Sequence, residues 1–361
     1  MLSAPPPPSH PAPKPAAASS GAKAPSSRSW LGPQLSNGAR LAGRFVVRGF
    51  ISKGGTARVY EAWDELEQRS VALKVVQRSL QGQMDDYELE CSAYRRFKSR
   101  HLPELVGSGD TAGDTHFMAL DLLHGRTLDE WLRQGPLGIA AVVDLGRQLL
   151  TALQHAHTSG VVHCDVKPRN IVLHDRENDD IIVKLIDFGT CAFTTLTPFG
   201  CEAGTGRREH VVGTPAYMAP ERMRGERIDV RADVYSAAVV LYESITSRLP
   251  FEGSTSDELM QAAQRDPIVP PRVLRETCPV ELERVLMRAL CKDPSYRHPS
   301  ARLMADELAH VALRHGYRTG RTAWQTSASV PPPAPTSCAN TTKRVASVPS
   351  MPAVHVVRDE E

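Results

Sequence analysis

The chain changes its hydrophobic pattern near residue 124, and this change limits the folds that it can adopt. Before residue 124, short segments rich in Val, Ile, Phe and Tyr alternate with turn residues. These segments are RFVVRGFI (44–51), ARVYEAWD (57–64), SVALKVV (70–76) and HFMALDLL (116–123). Such segments are typical of β-strands, and the short connections among the first three favour an antiparallel meander. One helix is predicted in this part, over residues 85–97.

After residue 124 the apolar residues recur at helical spacing. Leu145, Leu149 and Leu153 share one face of a predicted helix that stops at Gly160, and a second helix follows Asp233. The pattern therefore predicts an α+β fold with two lobes. The smaller lobe, residues 44–123, is an antiparallel sheet, and the larger lobe, residues 124–320, is helical. A cleft between two lobes is a common place for a ligand.

Both ends of the chain are rich in Pro, Ala, Ser and Thr. Residues 1–40 and 321–361 contain too few apolar side chains to offset the chain entropy that is lost on folding. We therefore predict a disordered arm, a folded domain over residues 41–320, and a disordered tail. The Pro-rich segments at both ends are candidate linkers or docking peptides for partner proteins.

Charge and cysteine content exclude several classes of function. The chain contains forty-three Lys and Arg and forty-one Asp and Glu, so its net charge gives no reason to expect nucleic acid as a partner. The seven cysteines show no metal-binding spacing, which argues against a zinc site or disulfide framework and favours a reducing compartment. No signal peptide and no run of about 18 apolar residues is present. We expect a cytoplasmic protein without a membrane span.

A lysine in the third predicted strand has a candidate partner on the predicted helix. Lys74 ends the segment VALK, and Glu90 follows sixteen residues later, with Glu88 as the competing partner. A buried Lys needs an anionic partner to remain charged, and such a pair would hold the ammonium beside the phosphates of a nucleotide. A solvated Lys at a sheet edge is the alternative when the segment is considered alone.

The turn ISKGGTARV, residues 51–59, contains adjacent glycines at 54 and 55. Backbone N–H groups in a loop without bulky side chains approach phosphate oxygens closely. Because Ser52, Gly54 and Ala57 occupy the positions of a GxGxxG motif, the signal is weak, and an ordinary hairpin turn is the alternative.

The segment HCDVKPRN, residues 163–170, carries the strongest chemical pattern. Asp165 is suited to accept or orient a hydroxyl proton, and Lys167 to neutralise charge on a phosphoryl group in transfer. Asn170 and Asp187, which begins the segment DFG, offer oxygen ligands for Mg²⁺. Together they match the requirements of phosphoryl transfer, in which positioning and charge neutralisation dominate.

These motifs, in this order, resemble the eukaryotic-type serine/threonine protein kinases over residues 45 to about 310. The resemblance also includes GTPAYMAP (213–220), APE (219–221), the structural Asp233, and Arg297 as the partner of Glu221. It implies a two-lobed protein-kinase-like fold, ATP and Mg²⁺ as cofactors with Mn²⁺ as an alternative metal, and protein substrates with Ser or Thr. The activation segment GTPAYMAPE favours a protein over a small-molecule substrate, and Lys167 with Thr214 favours the serine/threonine branch.

The resemblance also assigns roles to single residues. Asp165 is the expected catalytic base, Lys167 the γ-phosphate contact, and Asn170 and Asp187 the metal ligands. Lys74 is expected to contact the α- and β-phosphates while Glu90 holds it, and the backbone of Asp121 and Leu123 to face adenine. The remaining expected nucleotide contacts form the glycine loop: Ile51, Ser52, Lys53, Gly54, Gly55, Thr56, Ala57, Arg58 and Val59.

Cys164 stands where many kinases have an Arg before the catalytic Asp. That Arg makes activity depend on a phosphate in the activation segment. Its absence predicts a weaker dependence. The alternative function is a pseudokinase-like scaffold, but retention of Lys74, Asp165, Asn170 and Asp187 together favours an enzyme.

Overall fold

The computed structural model describes residues 34–54, 57–77, 83–111, 115–175, 181–197, 200–203 and 214–325. Most of the predicted arm and tail, together with Gly55 and Thr56 of the glycine loop, lie outside these ranges. Within the ranges, no helix combines the length and the apolar character that crossing a bilayer requires.

The smaller lobe is built on one six-stranded antiparallel sheet in the order β1-β2-β3-β4-β6-β5. Its strands are β1 Arg40–Leu41, β2 Phe45–Lys53, β3 Ala57–Asp64, β4 Arg69–Gln77, β5 Leu105–Thr111 and β6 Thr115–Asp121. Side chains alternate between the two faces of a strand. The face that bears Tyr60, Ala62 and Leu73 is buried, and it forms a hydrophobic cluster with Phe45 and Phe117.

One helix, α1 Gln83–Tyr94, lies between β4 and β5 in the chain. It begins two residues before the predicted start and ends three before the predicted end. Tyr87, Cys91 and Tyr94 of α1 belong to the hydrophobic core that is shared with the larger lobe. This packing places the helix between the sheet and the rest of the molecule.

The larger lobe is mainly helical. Its helices are α2 Leu128–Leu132, α3 Ile139–Thr158, α4 Pro220–Met223, α5 Val230–Thr246, α6 Ser256–Arg265, α7 Pro271–Leu274, α8 Val280–Ala289, α9 Ala301–His315 and α10 Arg321–Gln325, with 3₁₀ turns at Pro168–Asn170, Pro215–Tyr217 and Pro294–Tyr296. The predicted leucine face of α3 is fully buried. The predicted α+β fold, with a small antiparallel-sheet lobe and a larger helical lobe, is confirmed.

Short strands in the larger lobe carry the segments that hold the candidate site. They are β7 Gly125–Thr127, β8 Val161–Val162, β9 Ile171–His174, β10 Ile182–Leu185, β11 Ala192–Thr197 and β12 Gly200–Ala203. β9 and β10 form an antiparallel hairpin in which Ile171 lies opposite Leu185. Asn170 directly precedes this hairpin, and Asp187 follows it by two residues.

A buried ion pair joins two distant segments of the helical lobe. Both guanidinium nitrogens of Arg297 donate to the carboxylate of Glu221, each at 2.7 Å. Arg297 also donates to three backbone carbonyls, those of Arg231, Cys291 and Lys292. Because a buried charge is tolerated only when it is paired and fully hydrogen-bonded, this arrangement fixes α4 against the loop before α9. The structure thus contains the pair that the resemblance implied.

Candidate active site

Lys74, Glu90 and Asp187 meet in the cleft between the lobes. The Lys74 ammonium donates to both carboxylate oxygens of Glu90, at 2.7 and 2.8 Å, and to Oδ1 of Asp187 at 2.9 Å. Of the two candidate partners of Lys74, Glu88 is exposed, and Glu90 makes the contact. The Glu90 side chain is 5% exposed and the Asp187 side chain 48%. Asp187 is therefore the acid of this trio that a ligand in the cleft can reach.

The charges of this trio shift two ionisation equilibria. Burial alone would lower the pKa of Lys74, but the carboxylates of Asp187 and Glu90 outweigh it and raise the pKa above its ordinary value. The Lys74 ammonium in turn lowers the pKa of Asp187 to about 2. At neutral pH the cleft thus holds a charged Lys beside an ionised, partly exposed carboxylate.

The backbone of Asp187 is held from both sides of the cleft. Its N–H donates to the hydroxyl oxygen of Tyr94 on α1 at 3.1 Å. The next residue, Phe188, is fully buried and packs its ring against Tyr94, Phe97 and His163. Asp187 adopts a left-handed φ of +68°, which is costly for a residue with a Cβ and persists only where neighbours enforce it.

A second polar group is built around Asp165. Lys167 donates to Oδ2 of Asp165 at 2.6 Å, and the amide of Asn170 donates to the carbonyl oxygen of Asp165 at 2.9 Å. The 3₁₀ turn Pro168–Asn170 follows Lys167 directly, and this turn brings Asn170 back over Asp165. Thr214 joins the group, because its hydroxyl accepts from Lys167 at 3.1 Å.

Asp233 on α5 fixes the backbone that leads into Asp165. Its fully buried carboxylate accepts from the N–H of His163 at 2.8 Å and of Cys164 at 2.9 Å, and contacts Nε2 of His157 at 2.8 Å. Cys164 has a left-handed φ of +69°, and its carbonyl oxygen accepts from Arg222. The peptide units beside Cys164 are therefore constrained by side chains of α4 and α5. This restraint maintains the turn that presents Asp165.

Asn170 and Asp187 are brought together by the β9–β10 hairpin. The N–H of Ile186 donates to the carbonyl oxygen of Asn170 at 2.9 Å, which extends the pairing of Ile171 with Leu185 by one step. The carbonyl oxygen of Ile186 also contacts Nε2 of His163 at 3.1 Å. These contacts link the Asp165 group to the Lys74 group through backbone.

In the described part of the glycine loop, β2 and β3 pair as antiparallel strands, with a register shift between Phe50 and Ser52. Ser52 pairs with Val59, and Lys53 with Arg58, while the N–H of Gly54 donates to the Ala57 carbonyl oxygen at 2.9 Å. Ile51, Ser52, Lys53 and Gly54 are exposed, Arg58 and Val59 are half-buried, and Ala57 is buried. Gly55 and Thr56 lie outside the described residues.

Asp121 and Leu123 lie where the sheet passes into the helical lobe. Asp121 ends β6, and its carboxylate accepts from Arg69 and from the N–H of Glu104, both at 3.0 Å. Leu123 is half-buried in the connection to β7. Both residues therefore lie in the segment that connects the two lobes.

Three supporting contacts were not predicted from the sequence. They are the hydroxyl of Tyr94 on Asp187, the hydroxyl of Thr214 on Lys167, and the imidazole of His157 on Asp233. Tyr94 and Asp187 are 93 residues apart, and no local pattern relates them. Tyr94, Thr214 and His157 lie in helical or loop segments, and nothing in the sequence of these segments indicates which residue each side chain contacts.

Comparison with known proteins gives a consistent assignment. The family model described as protein kinase domain matches residues 45–310. A protein of Clostridium acetobutylicum named a probable serine/threonine-protein kinase is 31% identical, with 76% of this chain and 41% of that protein aligned. The kinase Pkn3 of Myxococcus xanthus is 32% identical over 76% of this chain and 51% of its own length. PknL of Mycobacterium tuberculosis is 34% identical over 76% and 67%, respectively.

The chain thus spans between 41% and 67% of the length of these curated relatives. The matched segment begins at the first residue of β2 and ends within α9, so it includes five of the six strands of the sheet and every residue of both polar groups. A match of this extent, together with the two-lobed fold, establishes that the chain belongs to the protein kinase family.

Proposed function

We propose that this protein transfers the γ-phosphoryl group of Mg-ATP to Ser and Thr hydroxyls of protein substrates. The observation that carries the proposal is the joining of two polar groups, Lys74–Glu90–Asp187 and Asp165–Lys167–Asn170, through the contact of Ile186 with Asn170. Phosphoryl transfer needs fixed positive charge on the phosphates and an oriented acceptor hydroxyl, and little covalent chemistry from the protein. The two groups supply these functions.

In this proposal the strand lobe holds the nucleotide. Lys74 neutralises charge on the α- and β-phosphates, and its bidentate contact with Glu90 fixes the ammonium in the cleft. The glycine loop, residues 51–59, covers the phosphates, and the backbone of Asp121 and Leu123 faces adenine. The use of ATP and a divalent metal is general in the protein kinase family.

The oxygen donors at Asn170 and Asp187 fit Mg²⁺. An ionised carboxylate and an amide oxygen are hard ligands, and Mg²⁺ commonly takes only one or two protein ligands and completes its shell with phosphates and water. Asn170 directs its amide nitrogen to Asp165, which leaves the amide oxygen on the other side. Bound there, Mg²⁺ would neutralise charge on the phosphates, and Mn²⁺ accepts the same oxygen ligands.

The catalytic segment acts on the acceptor hydroxyl. Asp165 accepts or orients its proton, and Lys167 neutralises charge on the transferring group while its contact with Thr214 ties the activation segment to the site. The relatives compared above are named serine/threonine-protein kinases, which supports Ser and Thr as acceptors. The domain boundaries at residues 41 and 320, the cytoplasmic location and the partners of the Pro-rich arms stay predictions.

Labelled ATP and a generic protein substrate provide the test. The wild type is expected to incorporate phosphate, and Asp165→Ala to lose at least about 100-fold in kcat because the acceptor is no longer oriented. Asp306→Ala, which removes an exposed carboxylate on α9, serves as the matched control. Nucleotide binding without incorporation in the folded wild type would instead support a scaffold.

We further propose that Cys164 replaces the Arg that commonly couples this segment to a phosphorylated activation loop. The Cys164 carbonyl oxygen is held by Arg222, a contact that requires no phosphate. Phosphatase-treated protein should therefore retain more than about half of its activity. Loss of nearly all activity after dephosphorylation would contradict this proposal.

A further inference from the structure

Residues 316–325, here called the strap, follow α9 and lie beyond the segment matched by the kinase family. Gly316, with a left-handed φ of +63°, ends α9. The strap then returns to the helical lobe and ends in α10. Trp324 within it is 1% exposed, which makes it one of the largest fully buried side chains of the described residues.

The strap is anchored on a buried carboxylate of α3. Asp144, 3% exposed, accepts from Nε1 of Trp324 at 3.0 Å and from the N–H of Gly320 at 3.3 Å. Gln148, one turn later, donates to the same oxygen at 2.9 Å. A buried carboxylate needs such donors, so the strap satisfies a group that the helical lobe would otherwise leave poorly solvated.

From this anchor, contacts run to the end of the β9–β10 hairpin remote from the site. Gln148 donates to the Ile181 carbonyl oxygen at 3.1 Å and accepts from the N–H of Val183 at 3.0 Å. Arg321 of the strap pairs with Asp175 at 2.6 Å. Ile181 precedes β10 and Val183 lies within it, so β10 is held at this end, and β9 is held through its pairing with β10. The opposite end carries Asn170 and Asp187.

A second route runs through α2. The Trp324 ring packs edge-to-face on Trp131 of α2, with ring centroids 5.9 Å apart. Asp129 of the same helix lies 3.7 Å from Arg169, the residue before Asn170. One side chain of the strap is therefore linked, by packing, hydrogen bonds and this ion pair, to both segments that flank the candidate metal ligands.

We propose that the strap is a positioning element of the site, which braces the β9–β10 hairpin and α2 so that Asn170 and Asp187 keep their relative placement. The inference rests on the proposed phosphoryl transfer. Trp324 carries most of the effect, because its contacts are buried. The Arg321–Asp175 pair, with side chains 43% and 57% exposed, contributes little, as exposed ion pairs generally do.

Full-length Trp324→Ala, Trp324→Phe, Arg321→Ala and the exposed control Arg318→Ala provide the test. We expect Trp324→Ala to lower kcat about tenfold or more while the KM for ATP stays within about twofold, since the strand lobe is untouched. Trp324→Phe keeps a ring but loses the donor to Asp144, so its kcat should lie between the values of Trp324→Ala and the wild type. The kcat of Arg321→Ala and that of Arg318→Ala should each stay within about twofold of the wild-type value.

Hydrogen exchange without nucleotide or metal supplies the second readout. In Trp324→Ala, exchange should increase in β9, β10 and α2, and remain unchanged in β2, β3 and β4. Uniformly faster exchange across the domain, or an unchanged kcat, would overturn the proposal. A wild type that transfers no phosphate would contradict the proposed function alone, and the exchange pattern would still decide whether the strap braces the hairpin.

Discussion

Glu243 on α5 is an acid whose surroundings oppose its ionisation. The hydroxyl of Tyr217 donates to its carboxylate at 2.7 Å, yet burial prevails and raises the pKa of Glu243 to about 7, with the negative charge of Asp129 acting in the same direction. The folded protein therefore binds a proton at this position more tightly than the unfolded chain does, in which the pKa is about 4.5.

The sign of the pH dependence follows from this raised pKa. The stabilisation due to the proton is fully present below about pH 4.5 and is lost as pH rises through about 7. Glu243→Gln is neutral at every pH and still accepts from Tyr217. Its Tm minus that of the wild type should therefore increase from pH 5 to pH 8, by about 4 °C.

Thermal melts at both pH values check this, with the exposed Glu276→Gln as the control. An equal difference between Glu243→Gln and the wild type at pH 5 and pH 8 would contradict the expectation.

At the scale of elements, Gly146 sets how closely the central helices of the larger lobe approach. A Cβ placed on Gly146 of α3 would lie 2.6 Å from Cδ1 of Leu308 on α9 and 2.9 Å from Cδ1 of Leu241 on α5. Both leucines are fully buried, so neither can turn into solvent. Glycine is thus required here by packing, although it weakens the helix intrinsically.

Gly146→Val is expected to lower the free energy of unfolding by about 1–3 kcal/mol, because overpacking exceeds the gain in helix propensity, which is below about 1 kcal/mol. Urea unfolding gives the value. In the double variant Gly146→Val/Leu308→Ala, the cost should be smaller than the sum of the two single costs, since the deleted side chain makes room. Additive costs would show that the two positions do not compete for space.

Elements with a clear pattern of apolar residues along the chain were predicted from the sequence. Elements whose residues make sense only through their tertiary contacts were missed. Strands β2, β3, β4 and β6 were predicted to within two residues at each end. β5 was missed because Gly107 and Gly109 are typical turn residues. In the structure they lie under Phe45 and Phe117, whose rings would come within 3.3 Å of a Cβ at either position.

The same distinction between local patterns and tertiary contacts holds for the candidate site. The residues of HCDVKPRN, with Asp187, were identified from motif order, and the Lys74–Glu90 partnership was anticipated from charge. The contact of Trp324 with Asp144 was not, because a single Trp in a polar segment and a single Asp in a helix carry no periodic signal. Partners that are 180 residues apart in the chain become neighbours only through the tertiary fold.

At the scale of the whole molecule, the apolar core is divided unequally. Among the described residues, the sheet has its own cluster of ten buried side chains, which includes Phe45, Tyr60 and Phe117. The other cluster extends through the helical lobe and includes α1. Helix α1 and Met118 of β6 thus share their core with the larger lobe. We expect the sheet to be the smaller cooperative unit.

This division predicts that the sheet unfolds before the helical lobe. Phe45, 2% exposed and packed edge-to-face on Phe117 at 5.5 Å, anchors the smaller cluster. Phe45→Ala should remove about 3–5 kcal/mol, which is a large fraction of the stability of one lobe. Hydrogen exchange in increasing urea should then show earlier opening of β2–β4, with α3, α5 and α9 as protected as in the wild type.

Leu286→Ala supplies the reciprocal control, because Leu286 is fully buried on α8 in the larger cluster. It should advance the opening of α3, α5 and α9. If both variants instead shift one common transition that includes sheet and helices alike, the two clusters form a single cooperative unit and the predicted order of unfolding is wrong. Separate shifts would mean that the cleft lies at the boundary between two units of different stability, where relative motion of the lobes costs least.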